Sequence, residues 1–525
     1  MALYLGLDAS TQSLTALIVQ IDGAARRVVF EHTLNFDRDL PEYGSTAGVH
    51  VGPGEGVVYA SPIMWADALD RMLGVIAAEA SVDVENICAI SGSAQQHGSV
   101  YLNRYAVATL RGLDPAAPLA GQIRTIFSRS QSPVWLDSST TAQCREIEAA
   151  LGGESTVRGI TGSSASERFT GPQIRKFFQE HPEAYAETAR VHLVSSFLAS
   201  LLVGDDAAVD PGDASGTNLM DLATNAWSPA AVAATAPDLE SKLPPIRPSW
   251  DVVGTLATHW QRRYTLPRVP VIAWSGDNPC SLVGTGVIRP GVIAVSLGTS
   301  DTVFANTESP MPGASHVFRA PTGDFMSLVC FRNGSLAREW VRAEHRLDWD
   351  AVAQILEDRP GNDGHVMLPW LEREITPNVP EPGVRRFGFD RTDTARDVRG
   401  LIEGQMMAMA NHAGNLGDRV EKIIATGGAA TNRSLLQVMA NVFGVDVYRL
   451  DVENSAALGA ALRAYHGERL IAGEPVSWKT VVAGLAEPKP GHRVSPNPKH
   501  VAIYARLRRE YAILETLHKD RRAIC

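Results

Sequence analysis

The residues best suited to chemistry in this chain sit in short turns between apolar runs. Residues 3–7 are apolar and lead into Asp8-Ala9-Ser10-Thr11-Gln12, and a second apolar run leaves through residues 14–21. The pattern recurs where residues 292–295 lead into Ser296-Leu297-Gly298-Thr299-Ser300-Asp301-Thr302. Backbone N–H groups and Ser/Thr hydroxyls in such turns form concave anion sites. A carboxylate at the first turn suits Mg²⁺, which takes oxygen ligands and keeps several waters. Two turns of one kind, far apart in sequence, point to a duplicated architecture facing one ligand, although either alone could be an ordinary polar hairpin. Neither fits the G-x-x-x-x-G-K-[ST] pattern, so any nucleotide is held by another device.

A third carboxylate, Asp277, follows the apolar residues 269–274 through Ser275-Gly276 and precedes Asn278. It is either a turn residue bonded to its own backbone or a base that takes a proton from an attacking hydroxyl beside a bound phosphate. Its place shortly before the second hairpin favours the base. Gln95-Gln96-His97-Gly98 ends another apolar run, where open α/β sheets carry their ligands. These side chains suit a polyhydroxylated ligand, with a structural histidine as the plainer alternative. Arg168, in Glu167-Arg168-Phe169-Thr170-Gly171, either pairs at the surface or reaches a substrate oxygen. Gly427-Gly428 after residues 422–426 would admit a flat ligand or simply make a turn. No His/Cys group has metal-ligand spacing.

The elements that hold these residues read as strands alternating with helices, an α/β organisation. Strands are expected at residues 27–31, 87–91, 269–274, 422–426 and 445–450. Ser61-Pro62 opens a helix with its N-cap and first residue. Residues 141–151 form a helix that stops at Gly152-Gly153, with Asp137 or a nearby Ser as its cap. Residues 191–204 read as a buried helix, too short to span a bilayer. Asp213-Ala214-Ser215-Gly216 lies in a turn-rich stretch, the alanine-rich residues 454–465 contain Gly459 for close packing, and residues 498–518 form a last helix. With 525 residues, 45% hydrophobic and 20% charged, the chain should fold as two large domains. A net charge of −10 argues against nonspecific nucleic-acid binding. The five cysteines, Cys88, Cys144, Cys280, Cys330 and Cys525, are scattered and read as free thiols of a reducing compartment. No basic segment precedes an apolar one at the start, so a secretory leader is not expected; the expected location is the cytoplasm.

Taken in order, these stretches resemble the FGGY family of carbohydrate kinases, nearest to the xylulose kinases within it, over nearly the whole chain. The resemblance implies an α/β, two-domain actin/hexokinase/Hsp70-type (ribonuclease H-like) fold with a central cleft. It implies an N-terminal domain over 1–287 holding the sugar and first phosphate hairpin, and a C-terminal domain over 288–525 holding the second hairpin and the adenosine site. The implied activity is ATP-dependent phosphorylation of D-xylulose at its 5-hydroxyl, with Asp277 as catalytic base. By the same resemblance Gln96, His97, Arg168, Asp277 and Asn278 hold the sugar and Asp8 lies at Mg²⁺. Thr11, Gln12, Gly298, Thr299, Ser300, Trp349, Gly427, Gly428 and Asn432 serve ATP. Ser132–Thr140 resembles another sugar-site stretch, and Gln437 follows Asn432 in the adenosine motif. The chain departs from common family patterns at Gln96, Asn441 and Asp301, where others often have Met, Asp and Ser. The expected partners are a small sugar and ATP, with no nucleic acid and no membrane, in a monomer or homodimer. The alternatives are a kinase for ribulose, arabitol or glycerol, or an ATP-driven conformational protein of the same fold.

Overall fold

The computed structural model describes residues 1–519 apart from 24, 312–314, 417–418, 451–453 and 489. Contacts divide the chain into two compact units. One comprises Met1–Gly286, Phe318–Asp324 and Asn454–Ala486; the other comprises Val287–Val317, Phe325–Glu453 and Glu487–Cys525.

In the first unit β1 (Ala2–Ala9) turns into β2 (Ser13–Asp22), antiparallel, and β3 (Ala25–Asn35) continues the meander. On its other side β1 runs parallel to β4 (Ile87–Ala94), with Asp8 opposite Ser93. Beyond β4 come β6 (Pro270–Ile272) and β5 (Val252–Thr255), and the short β7 (Ser275–Gly276) runs along the end of β4. The order is β5-β6-β4-β1-β2-β3. Successive side chains of β1 point to opposite faces, and both faces are covered. Leu3, Leu5 and Leu7 join Met64, Trp65 and Leu69 of α1 (Pro62–Ala78) in one core. Tyr4 and Gly6 face the helix Ser455–Ile471, which returns to this unit from late in the chain. A Cβ on Gly6 would lie 2.2 Å from the Ala457 carbonyl, so only glycine admits that helix so closely.

The second unit repeats the plan. Strands β8 (Val292–Leu297) and β9 (Asp301–Thr307) form a hairpin, β10 (His316–Arg319) lies at the edge, and β11 (Phe325–Phe331) pairs with β9. Strand β8 is parallel to β12 (Lys422–Thr426), then come β13 (Asp446–Arg449) and β14 (Arg493–Val494). The order is β10-β11-β9-β8-β12-β13-β14. In each sheet three antiparallel strands adjoin a parallel pair, β3-β2-β1-β4-β6 in one and β11-β9-β8-β12-β13 in the other. This is the duplicated α/β plan expected from the two hairpins.

The helices mostly match the sequence expectations. Helix α2 (Thr141–Leu151) ends at Gly152 in the left-handed region, φ 89°. Its expected cap is corrected: the N-cap is Thr140, which makes no side-chain cap bond, and Asp137 instead accepts from the N–H groups of Val58 and Ser139. Residues 191–204 are not one helix. Strand Thr188–Leu193 pairs with Ser99–Asn103 before α3 (Val194–Val203) begins. Helix α4 (Asp277–Gly284) follows β7. The second unit adds α5 (Ser335–Glu344), α6 (Trp349–Glu357), α7 (Thr394–Ala413) and α8 (Arg433–Phe443), and α7 and α8 pack with the helix Pro498–His518. Cys88, Cys144, Cys280 and Cys330 form no disulfide among the described residues, and Cys525 lies outside them. Among the described residues no helix is long and apolar enough to cross a membrane.

Candidate active site

Asp277 is the first residue of α4, where β7 gives way to helix. Its Oδ1 accepts from its neighbour Asn278, from the backbone N–H at 2.8 Å and from Nδ2 at 3.1 Å, and the Gln96 N–H also donates to the carboxylate. Asn278 Nδ2 donates in turn to Gln96 Oε1 at 2.8 Å. Gly276 makes this cluster possible, because a Cβ there would lie 2.1 Å from Gln96 Cγ. Burial, with the Asp8 charge second, pushes the Asp277 carboxyl up to about 7. Burial likewise raises Asp8 to about 6, with Ser93 pulling the other way. Asp8 is the last residue but one of β1, and its buried Oδ1 has no hydrogen-bond partner among the described residues. A carboxylate poised near neutrality beside hydrogen-bonding amides is a competent proton acceptor.

His97 is held in a backbone conformation unusual for a non-glycine residue, φ 73°. Its Nδ1 lies 2.6 Å from the Gly216 carbonyl and donates to it. The ring stacks on Phe169 at 4.2 Å between centroids, and Phe318 lies 6.1 Å away. Thr170 Oγ1 donates to the His97 carbonyl at 2.9 Å. The strained backbone is therefore fixed from several sides, as functional outliers are. Arg168 precedes Phe169 and lays its guanidinium 5.8 Å from the Trp135 ring centroid, while Trp135 Nε1 donates to Thr11 Oγ1 at 2.8 Å. The sequence-predicted Asp8, Thr11, Gln96, His97, Arg168, Asp277 and Asn278 are thus joined in one unit. The Gln12 side chain is exposed at the tip of the β1–β2 turn, and its carbonyl accepts from the Phe36 N–H at 2.9 Å.

In the second unit Gly298, Thr299 and Ser300 form the turn between β8 and β9, with Thr299 and Ser300 exposed. Asp301 closes the turn from below. Its carboxylate takes a bidentate pair of bonds from Arg338 of α5, at 2.7 and 2.8 Å, and accepts from the Gly298 N–H. Arg338 also donates to Gln405 Oε1 at 3.0 Å and Ser335 Oγ at 2.9 Å. Gly427, at the end of β12, touches the same turn: a Cβ there would lie 2.6 Å from the Leu297 carbonyl. Nothing crowds Gly428 within 4 Å, which leaves its Cα face open to a flat ring. Asn432 caps α8, its Oδ1 accepting from the Leu435 N–H at 3.0 Å. Trp349 opens α6 with Arg342 5.6 Å from its ring centroid; the other end of α6 meets α8 through Ser434 Oγ and Glu357 at 3.0 Å.

Sequence reasoning missed the buried supports. Arg338 was invisible because its partner lies in another element. Asp210 and Arg463 form a buried ion pair at 3.3 Å. Their available signals were a turn rich in Asp and Gly and an arginine in the middle of an alanine-rich helix. Phe318 carried no signal at all.

With this geometry in hand, the N-terminal domain of the FGGY family of carbohydrate kinases matches residues 130–284 and the C-terminal domain matches residues 293–468. The chain is 43% identical to a xylulose kinase of Mus musculus, covering 97% of this chain and 93% of that protein. It is 40% identical to xylulose kinase 2 of Arabidopsis thaliana, covering 89% and 87%. The fold superimposes on a xylulose kinase of Rhodospirillum rubrum with a TM-score of 0.81 at 20% identity, over 98% of each chain.

Proposed function

The chain belongs to the FGGY family of carbohydrate kinases, and from that premise we propose that it transfers the γ-phosphoryl group of ATP to the 5-hydroxyl of D-xylulose. The observation that carries the reading is the Asp277 carboxylate, raised to about 7 and bonded into the Gln96–Asn278 cluster beside His97. Ionised, it accepts the hydroxyl proton as that oxygen attacks the γ-phosphorus and the β–γ bridging oxygen leaves with ADP. The product is D-xylulose 5-phosphate. Phosphoryl transfer asks the protein mainly for alignment and charge stabilisation. Gln96, His97, Arg168 and Asn278 bind the sugar. Thr11, Gln12 and the Gly298–Thr299–Ser300 turn hold the phosphates, with Gly427, Gly428, Asn432 and Trp349 on the nucleoside. The residues assigned to the sugar all lie in the first unit, and those assigned to the nucleoside all lie in the second.

Mg²⁺ fits the residues present. The partnerless buried oxygen of Asp8 is a hard donor, and Mg²⁺ sites usually combine one or two carboxylates with phosphate oxygens and water. When bound, the ion neutralises charge on the transferring phosphates. A cytoplasmic setting agrees with cysteines that form no disulfide among the described residues.

The test is a panel of ketoses and polyols with ATP and Mg²⁺, read by coupled ADP release. D-xylulose should give the highest kcat/KM, ahead of D-ribulose, arabitol and glycerol. A higher value with another member reassigns the sugar. ATP hydrolysis indifferent to every sugar sinks the kinase reading in favour of a conformational ATPase.

A further inference from the structure

Arg463 is buried within the helix Ser455–Ile471, and its donors radiate into the first unit. Its Nη2 donates to the carbonyls of Ala273 at 2.8 Å and Ser249 at 3.0 Å and to Asp210 Oδ2 at 3.3 Å. Its Nη1 donates to the Gly92 carbonyl and to Cys280 Sγ, each at 3.3 Å. Gly92 lies on β4 ahead of Gln96 and His97, and Ala273 and Cys280 flank Asp277. Asp210 gathers the same region. Its Oδ1 accepts from Ser275 Oγ at 2.8 Å and from the Asp213 N–H at 2.9 Å, and its Oδ2 accepts from Ser249 Oγ at 2.7 Å. Ser275 lies in β7, which ends immediately before Asp277. The turn that Asp210 opens continues to Gly216, whose carbonyl holds the His97 ring.

We propose that Arg463 and Asp210 are positioning residues for phosphoryl transfer. Bonded jointly to β4, to the chain leading into Asp277 and to the turn that holds His97, they set the base against the sugar contacts. A buried ion pair is weak evidence for stability, because desolvation offsets much of its attraction and apolar replacements are often neutral. This pair instead bonds β4, which leads to His97, and the chain leading into Asp277, which makes alignment the role its geometry supports. Neither side chain touches the reacting atoms. The inference rests on the kinase reading above.

The experiment compares Arg463→Met, Arg463→Lys, Asp210→Asn and the milder Ser275→Ala with the wild type. Circular dichroism and thermal unfolding are measured beside kcat and KM for both substrates. Misalignment of reacting groups by an ångström costs about 100-fold, so Arg463→Met and Asp210→Asn should lose about that much kcat/KM for the sugar while KM for ATP stays within about threefold. Arg463→Lys should recover about tenfold of the loss by keeping the charge and part of the reach. Ser275→Ala should lose about tenfold at an unchanged unfolding midpoint, and it decides the matter if the larger changes fail to fold. The proposal is overturned by a folded variant whose sugar kcat/KM stays within about threefold of wild type, or by a loss that resides in a raised KM for ATP with kcat retained. A wild type that no sugar stimulates would instead sink the kinase reading, and the two failures are read from different proteins.

Discussion

At the scale of single residues, Asp277 sets the expected pH behaviour. An ordinary aspartate ionises near 3.8, whereas this one is raised to about 7 in the folded chain. Between those values the folded state holds the proton that the unfolded state has lost. Stability therefore falls as pH rises through that window and is flat above it. Activity runs the other way, since only the ionised carboxylate takes a proton. The kcat/KM for the sugar should rise with pH to a plateau above about 7. Asp277→Asn should lower kcat by about 10²–10⁴-fold with ATP binding retained by calorimetry. The same change should raise the unfolding temperature at pH 8 and give no gain at pH 4. A variant with near wild-type turnover removes Asp277 from the role of base. Asp8, Asp277 and the glycine turns were legible in the sequence because each lies in a short contiguous motif after an apolar run. Arg338, Asp210 and Arg463 were not, because what gives them meaning is a partner that only tertiary folding supplies.

Among the elements, α4 is the one to test, because its first residue is Asp277 and its far side is pressed against the returning helix. A Cβ on Gly459 would lie 1.9 Å from the Cys280 carbonyl, and one on Gly284 would lie 1.8 Å from the Ser455 carbonyl. Both obstacles are backbone, which cannot rotate away. Gly459→Val should therefore destabilise the first unit by about 3 kcal/mol, the upper part of the overpacking range, measured by urea unfolding. It should lower kcat as well, since α4 moves with its contact. A variant unchanged in both would show that the helices separate without strain. Strand Lys422–Thr426 and helix Thr141–Leu151 match their sequence readings residue for residue. Residues 191–204 do not, because a mostly apolar run, here broken only by His192 and three serines, fits a buried strand and a buried helix equally well.

For the molecule as a whole, the informative feature is the return of Asn454–Ala486 to the first unit. The two similar hairpins point to a duplicated plan, but nothing in sequence order says that a late helix completes the early sheet. Expressed alone, residues 1–286 should be insoluble or molten, with near-ultraviolet circular dichroism lost, because the face of β1 carrying Tyr4 would be bare. Fusing residues 454–486 to that fragment should restore a cooperative unfolding transition. A fragment that folds well without them would show that the returning helix is dispensable. The same feature bears on the newborn chain. At about 5–20 residues per second, the ribosome needs roughly ten to thirty seconds to pass from Gly286 to Asn454. For that interval the first sheet waits with one apolar face uncovered, a target for chaperones and for aggregation. A premature stop anywhere before Arg463 would therefore leave the sugar side unfinished along with the nucleotide side.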